Sequence, residues 1–325
     1  MPANISRREA LAALAAAAAL PAVAADEKPK ALVIVVTDPL AAPNSCPCVE
    51  GYAQRDYDKL GKFLEAKLNR PVAVFYADSL AGALAKKTNG KCDLVIGKDS
   101  VVRTQGPESK FTVTHLAALE GKDGKTTQTG YICVAAADKA VTPADLKGYK
   151  ILFGSKAADE KHAAAIRLVK ESGVPLPEKL DTCPTCTDAA TTALELAKGG
   201  EKVAAVISSY AKLLLEGCGT IKKGDLRLIG ETDEVPFIAC FATNTLAESD
   251  CAAVKAALLT VGTDKALCKA LETKGGFVQP AKKNLRRQNV LDGCLRRCYS
   301  LGFPGLRSSP CRDERRVHSP PEPRS

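Results

Sequence analysis

The chain has 325 residues, thirteen cysteines, no tryptophan and few aromatics, with a formal net charge of +9. That length accommodates one large or two medium α/β domains, whose cores must be built from Ala, Val, Leu and Ile. The charge does not mark a nucleic-acid binder: after Pro280 eleven Lys/Arg stand against four Asp/Glu, while the body from 26 to 280 is near neutral and lacks clustered aromatics.

Ser6-Arg7-Arg8-Glu9-Ala10-Leu11 is a twin-arginine pattern, followed by an Ala-rich run to Leu20 and the small-x-small signal Ala22-Val23-Ala24. Together they predict a signal peptide over residues 1–25 and export to the periplasm. The run is too short and too weakly apolar for a retained membrane span. Export to an oxidising compartment suits the high cysteine count.

After the cleavage site, Ala31–Val36 is a continuous β-branched run, as in a strand buried on both faces of a parallel sheet. It ends in Thr37-Asp38-Pro39-Leu40 and a loop carrying Cys46-Pro47-Cys48. Tyr57, Leu60, Leu64 and Leu68 mark one face of a helix. Pro71–Tyr76 is a second strand, Ser79 caps a short helix, and Cys92–Ile96 is a third strand ending at Gly97-Lys98-Asp99-Ser100. Strands follow at Val113–Leu119 and Tyr131–Ala136, then a helical turn within Thr142–Gly148 and a strand Lys150–Phe153. Gly154-Ser155-Lys156 is expected to open a helix through Ile166 and Val169, with Asp159 and Glu160 capping its first turn. Cys183-Pro184-Thr185-Cys186 leads into another helix, and the strand Val203–Ile207 stops at Ser208-Ser209-Tyr210. Strands at Leu226–Ile229 and Pro236–Ala242 and two helices capped by Ser249 and Thr263 complete the pattern. From Lys283 onward periodicity is lost, and residues 281–325 read as a basic, disordered tail.

In an open α/β sheet, ligands settle outside the carboxyl ends of the strands, where loops feed helix N-termini. That rule nominates the polar residues at strand ends: Asp38, Lys98, Asp99, Ser100, Ser155, Lys156, Cys186, Ser208, Ser209 and Tyr210. Lys98, Ser100 and Ser155, with neighbouring backbone N–H groups, have the chemistry to hold an oxyanion. Cys183 and Cys186 admit a local disulfide, a Zn or Cu site shared with Cys46 and Cys48, or a thioredoxin-like redox pair. Cys251 and Cys268 suggest a structural disulfide, while Cys133 and Cys240, in the crossing strands, either pair or are simply buried thiols.

Three blocks resemble the periplasmic phosphate/phosphonate-binding branch of the type 2 solute-binding proteins that serve ABC transporters. They are Lys91-Cys92-Asp93-Leu94-Val95-Ile96-Gly97, the run from Gly130 to Pro175 containing Ala144-Asp145-Leu146-Lys147-Gly148 and Ile151-Leu152-Phe153-Gly154-Ser155, and Asp188 to Pro236 with Ser208-Ser209-Tyr210. The likeness spans residues 31 to 275. It implies a two-lobed α/β fold of the type II periplasmic-binding-protein kind, each lobe a mixed sheet flanked by helices, with a hinge of two crossing strands near Tyr131–Ala136 and Phe237–Ala242. Lobe 1 would comprise 26–133 and 241–280, and lobe 2 would comprise 134–240. It further implies a non-enzymatic monomer that captures a small-molecule anion between the lobes for a membrane permease, with no cofactor and no nucleic acid. A cysteine-based metal-binding or sensor module on the same scaffold is the alternative. The sequence departs from the family where Lys156-Ala157-Ala158 replaces a hydroxyl cluster and where Cys186 stands near an expected histidine.

Overall fold

A computed structural model describes residues 30–45 and 54–280; the twin-arginine segment, Cys46, Cys48 and the basic tail lie outside the described residues. Strand β1 (Leu32–Val36) is buried along its whole length, as its unbroken β-branched run requires. It lies parallel to β2 (Val72–Tyr76) on one side and to β3 (Leu94–Lys98) on the other. Between them run helix α1 (Tyr57–Leu68), capped by the Asp56 carboxylate and ended by Asn69 in the left-handed region, and helix α2 (Leu80–Lys86), capped by Ser79. Helix α3 (Asp99–Glu108) starts where β3 stops, and β4 (Val113–Leu119) follows. The first sheet takes the order β13-β4-β12-β3-β1-β2, its last members being β12 (Ile238–Thr243) and the short β13 (Phe277–Val278).

The second sheet has five strands in the order β10-β6-β9-β7-β8. They are β6 (Gly130–Ala135), β7 (Lys150–Phe153), β8 (Asp181–Thr182), β9 (Val203–Ser208) and β10 (Leu226–Glu231). Helices α4 (Ala163–Glu171), α5 (Cys186–Lys198) and α6 (Ser209–Gly217) pack on it. Helices α7 (Glu248–Leu259) and α8 (Lys265–Ala270) close the first sheet's side. The buried apolar side chains fall into four clusters, two on the faces of each sheet, and none of the four spans both sheets. Two separately cored lobes result.

A two-stranded ribbon joins them: β5 (Thr127–Gln128) pairs antiparallel with β11 (Val235–Pro236). The expected crossing strands, Tyr131–Ala136 and Phe237–Ala242, lie instead inside the two sheets, because each finds a full ladder of partners there. Gly130 stands opposite Ser208, and Ile238 stands opposite Lys98. The chain therefore enters each lobe directly beside the strand that ends in a candidate polar residue. Two caps also differ from expectation. Ser249 lies within α7, and α8 is capped by Asp264 rather than Thr263, since the Asp264 carboxylate accepts from the Leu267 amide at 3.0 Å.

Gly130 is tightly constrained, because a Cβ there would lie 2.0 Å from the Glu160 carbonyl oxygen. Backbone cannot yield as a side chain does. Gly130→Ala is expected to destabilise the fold by about 3 kcal/mol, the upper end of ordinary overpacking, read as a lower urea midpoint with an unchanged slope.

Candidate functional site

Lys98 ends β3 in lobe 1, and Ser208 ends β9 in lobe 2. Between them a 3-10 turn, Asp159–Lys161, carries Glu160. The Lys98 ammonium donates to Glu160 Oε1 at 2.6 Å and to Ser208 Oγ at 3.1 Å, while the Ser208 hydroxyl donates to the same Oε1 at 2.7 Å. All three residues are buried, Glu160 and Ser208 completely. Burial alone would pull the lysine pKa down, but the electrostatic influence of its neighbours Tyr210, Glu160 and Cys186 and the hydrogen bond to Glu160 outweigh it and the pKa is raised. Burial likewise pushes the Glu160 carboxyl up, and the Lys98 charge more than reverses this, leaving the pKa below the usual carboxylate range. The result is an ionic junction from lobe to lobe. Its second carboxylate oxygen, Glu160 Oε2, has no hydrogen-bond partner among the described residues.

Aromatic packing backs the junction. The Lys98 ammonium sits 5.2 Å from the Tyr210 ring centre. Tyr210 stacks on Phe237 with centroids 5.4 Å apart, and the Arg55 guanidinium covers the other ring at 5.4 Å. Phe237 follows directly on the hinge strand β11, so the stack ties the hinge to both lobes. Burial pushes the Tyr210 phenol up to about 12 against the opposing Lys98 charge, so it stays neutral.

Beside the junction a cavity of about 580 Å³ opens between the lobes. Thr37, Lys98 and Val101 line it from lobe 1, and Lys161, Cys186 and Tyr210 from lobe 2. Lys161 is 5% exposed, and no hydrogen bond or ion pair to its ammonium occurs among the described residues. Its stem lies flat on Gly154, where a Cβ would come within 2.4 Å of the lysine Cβ and 2.7 Å of its Cε. The glycine of the Phe153-Gly154-Ser155 run is thus what lets a lysine lie buried there. The Thr37 hydroxyl, pressed against Gly97, is also buried without a partner.

The nominated residues divide accordingly. Lys98, Ser155, Cys186 and Tyr210 line the cavity. Ser208 lies just behind it, its amide donating to Cys186 Sγ at 3.4 Å. Ser100 accepts from the Asp159 amide at 3.2 Å and forms a second contact between lobes. Ser209 accepts from the Thr129 amide, and Lys156 is exposed away from the lining. Asp38 is engaged elsewhere: its carboxylate accepts from Arg55 at 2.9 Å, Tyr57 at 2.6 Å and the Leu40 amide at 2.9 Å. Asp99 faces Arg103 and His115.

Sequence reasoning missed Lys161 and took Glu160 for a helix cap. The expected helix at Gly154 begins only at Ala163, so Ser155 caps nothing and the 3-10 turn aims Glu160 and Lys161 inward. The Asp159-Glu160-Lys161 run that follows Ala157-Ala158 after the Gly154-Ser155 turn was the available signal.

The disulfide expectations also change. Cys183, Cys186, Cys251, Cys268, Cys133 and Cys240 all carry free thiols. Cys251 and Cys268 are directed to separate carbonyls, of Leu246 and Val261, and Cys133 and Cys240 sit in different sheets. Among the described residues no three His, Cys, Asp or Glu side chains gather as metal ligands, and the Cys46 and Cys48 half of the postulated metal site lies outside those residues.

The sequence profile of the ABC-transporter phosphonate periplasmic substrate-binding proteins matches residues 51–285. The chain belongs to this family. Solved structures share the fold of this phosphonate-binding family member. A binding-protein component of an ABC phosphonate transporter from Pseudomonas aeruginosa aligns with a TM-score of 0.60 at 12% identity, covering 83% of this chain and 88% of that one. PhnD1 from Prochlorococcus marinus in complex with methylphosphonate gives 0.57 at 14%, covering 84% and 100%. XAC2383 from Xanthomonas citri bound to ATP gives 0.59 at 13%, covering 83% and 98%. Comparison with curated protein sequences returns no match. The two sheets are thus the two lobes of a type II periplasmic binding protein, a family of ABC-transporter substrate-binding components.

The junction sets a pH dependence for this family member. Glu160, with its pKa depressed on folding, contributes stability that is complete above the ordinary carboxylate range and is lost as pH falls through the folded-state value. Lys98, with its pKa raised, contributes stability that is present below lysine's ordinary value and is lost only in strong alkali. Glu160→Gln strands the buried ammonium and is expected to cost about 3–5 kcal/mol at pH 7. Urea titrations across pH should show the wild-type advantage shrinking in acid; a variant equal to wild type at pH 7 would remove the junction from the account.

Proposed function

We propose that this chain captures a small oxyanion in the interlobe cavity and presents it, by closure about the β5–β11 ribbon, to the membrane permease of an ABC importer. The observation that carries this reading is Lys161: a lysine only 5% exposed, its ammonium without a hydrogen bond or ion pair among the described residues, lining a cavity between two hinged lobes. An ammonium whose hydrogen-bond donors are unused offers charge-assisted bonds to an incoming anion. The Thr37 hydroxyl, without a hydrogen-bond partner among the described residues, stands on the lobe 1 wall of the same cavity. Family membership supports delivery to a permease, and the twin-arginine segment supports work in the periplasm. The methylphosphonate complex of PhnD1 supports a phosphonate-like headgroup. Lys98, the residue the sequence favoured, supplies less, because Glu160 already neutralises it.

Calorimetry with methylphosphonate and a panel of oxyanions tests the proposal. Lys161→Met should weaken whichever anion binds by at least tenfold, in keeping with about 1.5–3 kcal/mol for a hydrogen bond to a charged group. Binding at wild-type strength in that variant would refute the assignment.

A further inference from the structure

Resting on the oxyanion reading, we infer that the cleft selects an oxyanion bearing a single negative charge and an apolar substituent, and discriminates against bare dianions. The charges at the cavity decide the first half. Lys98 and Lys161 are its two buried cations, and Glu160, buried against Lys98 at 2.6 Å, cancels one of them from within the chain. Among the described residues the one other charged side chain along the wall is Asp78, an exposed carboxylate at the rim. Glu160 is bonded to Lys98 and feels the charge of Lys161 as well, so the two ammoniums and this carboxylate leave a net single positive charge for the ligand, with Asp78 at the mouth. In a site shielded from water, a second ligand charge would meet those carboxylates without a free cation of its own.

The lining decides the second half. Tyr210, Ala211, Leu214 and Leu215 from α6 form an apolar wall on the lobe 2 side, and Val101 from α3 lines the cavity from lobe 1. About 580 Å³ holds some twenty waters' worth of volume, far more than a bare inorganic oxyanion fills. Water left against that wall would be poorly bonded, whereas an alkyl or aryl group removes apolar surface from solvent. The ammonium and the apolar wall belong to one cavity, so a single amphiphilic anion satisfies both.

Calorimetry at pH 7 with sulfate, methyl sulfate and butyl sulfate separates charge from apolar contact, since the headgroup is kept while one charge is dropped and a chain is then added. Methyl sulfate should bind at least tenfold tighter than sulfate, and butyl sulfate about tenfold tighter again. Glu160→Gln, which frees Lys98, should bring sulfate to within about threefold of methyl sulfate. Asp78→Asn, a change at an exposed position, should raise sulfate affinity about threefold and guards against poor folding of the first variant. Sulfate binding as tightly as methyl sulfate, or butyl sulfate binding more weakly than methyl sulfate, overturns the inference and leaves oxyanion capture standing. Silence from all three esters and ions and from methylphosphonate removes the oxyanion reading, and the inference with it.

Discussion

The contact on which the two lobes depend is the buried trio of Lys98, Glu160 and Ser208. Its geometry follows from strand register. Ile238 pairs opposite Lys98 and Gly130 opposite Ser208, so the two strands leaving the hinge lie beside the strands that end in the lysine and the serine. The absence of a side chain at Gly130 lets the Glu160 backbone approach, which brings the carboxylate between them. Hinge, junction and cavity are thus neighbours by topology. A shift of the ribbon is transmitted directly to the residues that meet across the cleft.

The same arrangement explains how the chemistry is shared out. Asp38, completely buried, is held by Arg55, Tyr57 and a backbone amide, and so organises the lobe 1 loop instead of presenting charge to a ligand. Arg55 in turn covers Phe237, which stacks on Tyr210 over the Lys98 ammonium. Charges that a sequence reading assigns to ligand binding are consumed in fixing the walls. What is left for a ligand is Lys161, the Thr37 hydroxyl and an apolar face.

The lobes were largely legible in the sequence, and for identifiable reasons. Val33–Val36 and Leu94–Ile96 are unbroken apolar runs that only a doubly covered strand tolerates. Ser79 sits where a helix start needs an acceptor. Lys98, Cys186 and Tyr210 were found because strand ends face the cleft in this architecture. Lys161 was hidden by a different cause. Residues 159–161 read equally well as the first turn of a helix, in which their side chains would point to solvent, and only the tighter 3-10 turn directs them inward. The hinge was misplaced by a few residues because Tyr131–Ala136 and Phe237–Ala242 are strong strands, and strength of pattern marks sheet interior, whereas the ribbon itself is two residues a side. Cysteine spacing was no guide to pairing, since proximity in sequence at Cys183 and Cys186 fixes no sulfur geometry.

An ionic junction suits a hinged protein better than an apolar one. A seam of leucines of the same extent would be driven shut by the hydrophobic effect whether or not ligand were present. A buried ion pair, by contrast, roughly breaks even, because water solvates both charges well once the lobes part. In the proposed hinge closure, Lys98 and Glu160 would leave the open and closed forms near balance, while Ser208 and the Ser100–Asp159 contact join the lobes as they stand here. Near balance, a ligand that contacts both lobes shifts the population by its differential affinity for the closed state. Lys161 is placed to supply that difference. Its stem is fixed on Gly154 in lobe 2, and its ammonium lines a cavity whose other wall, at Thr37 and Val101, belongs to lobe 1. An anion captured there as proposed would be enclosed only when the lobes meet, which would make binding and closure one equilibrium.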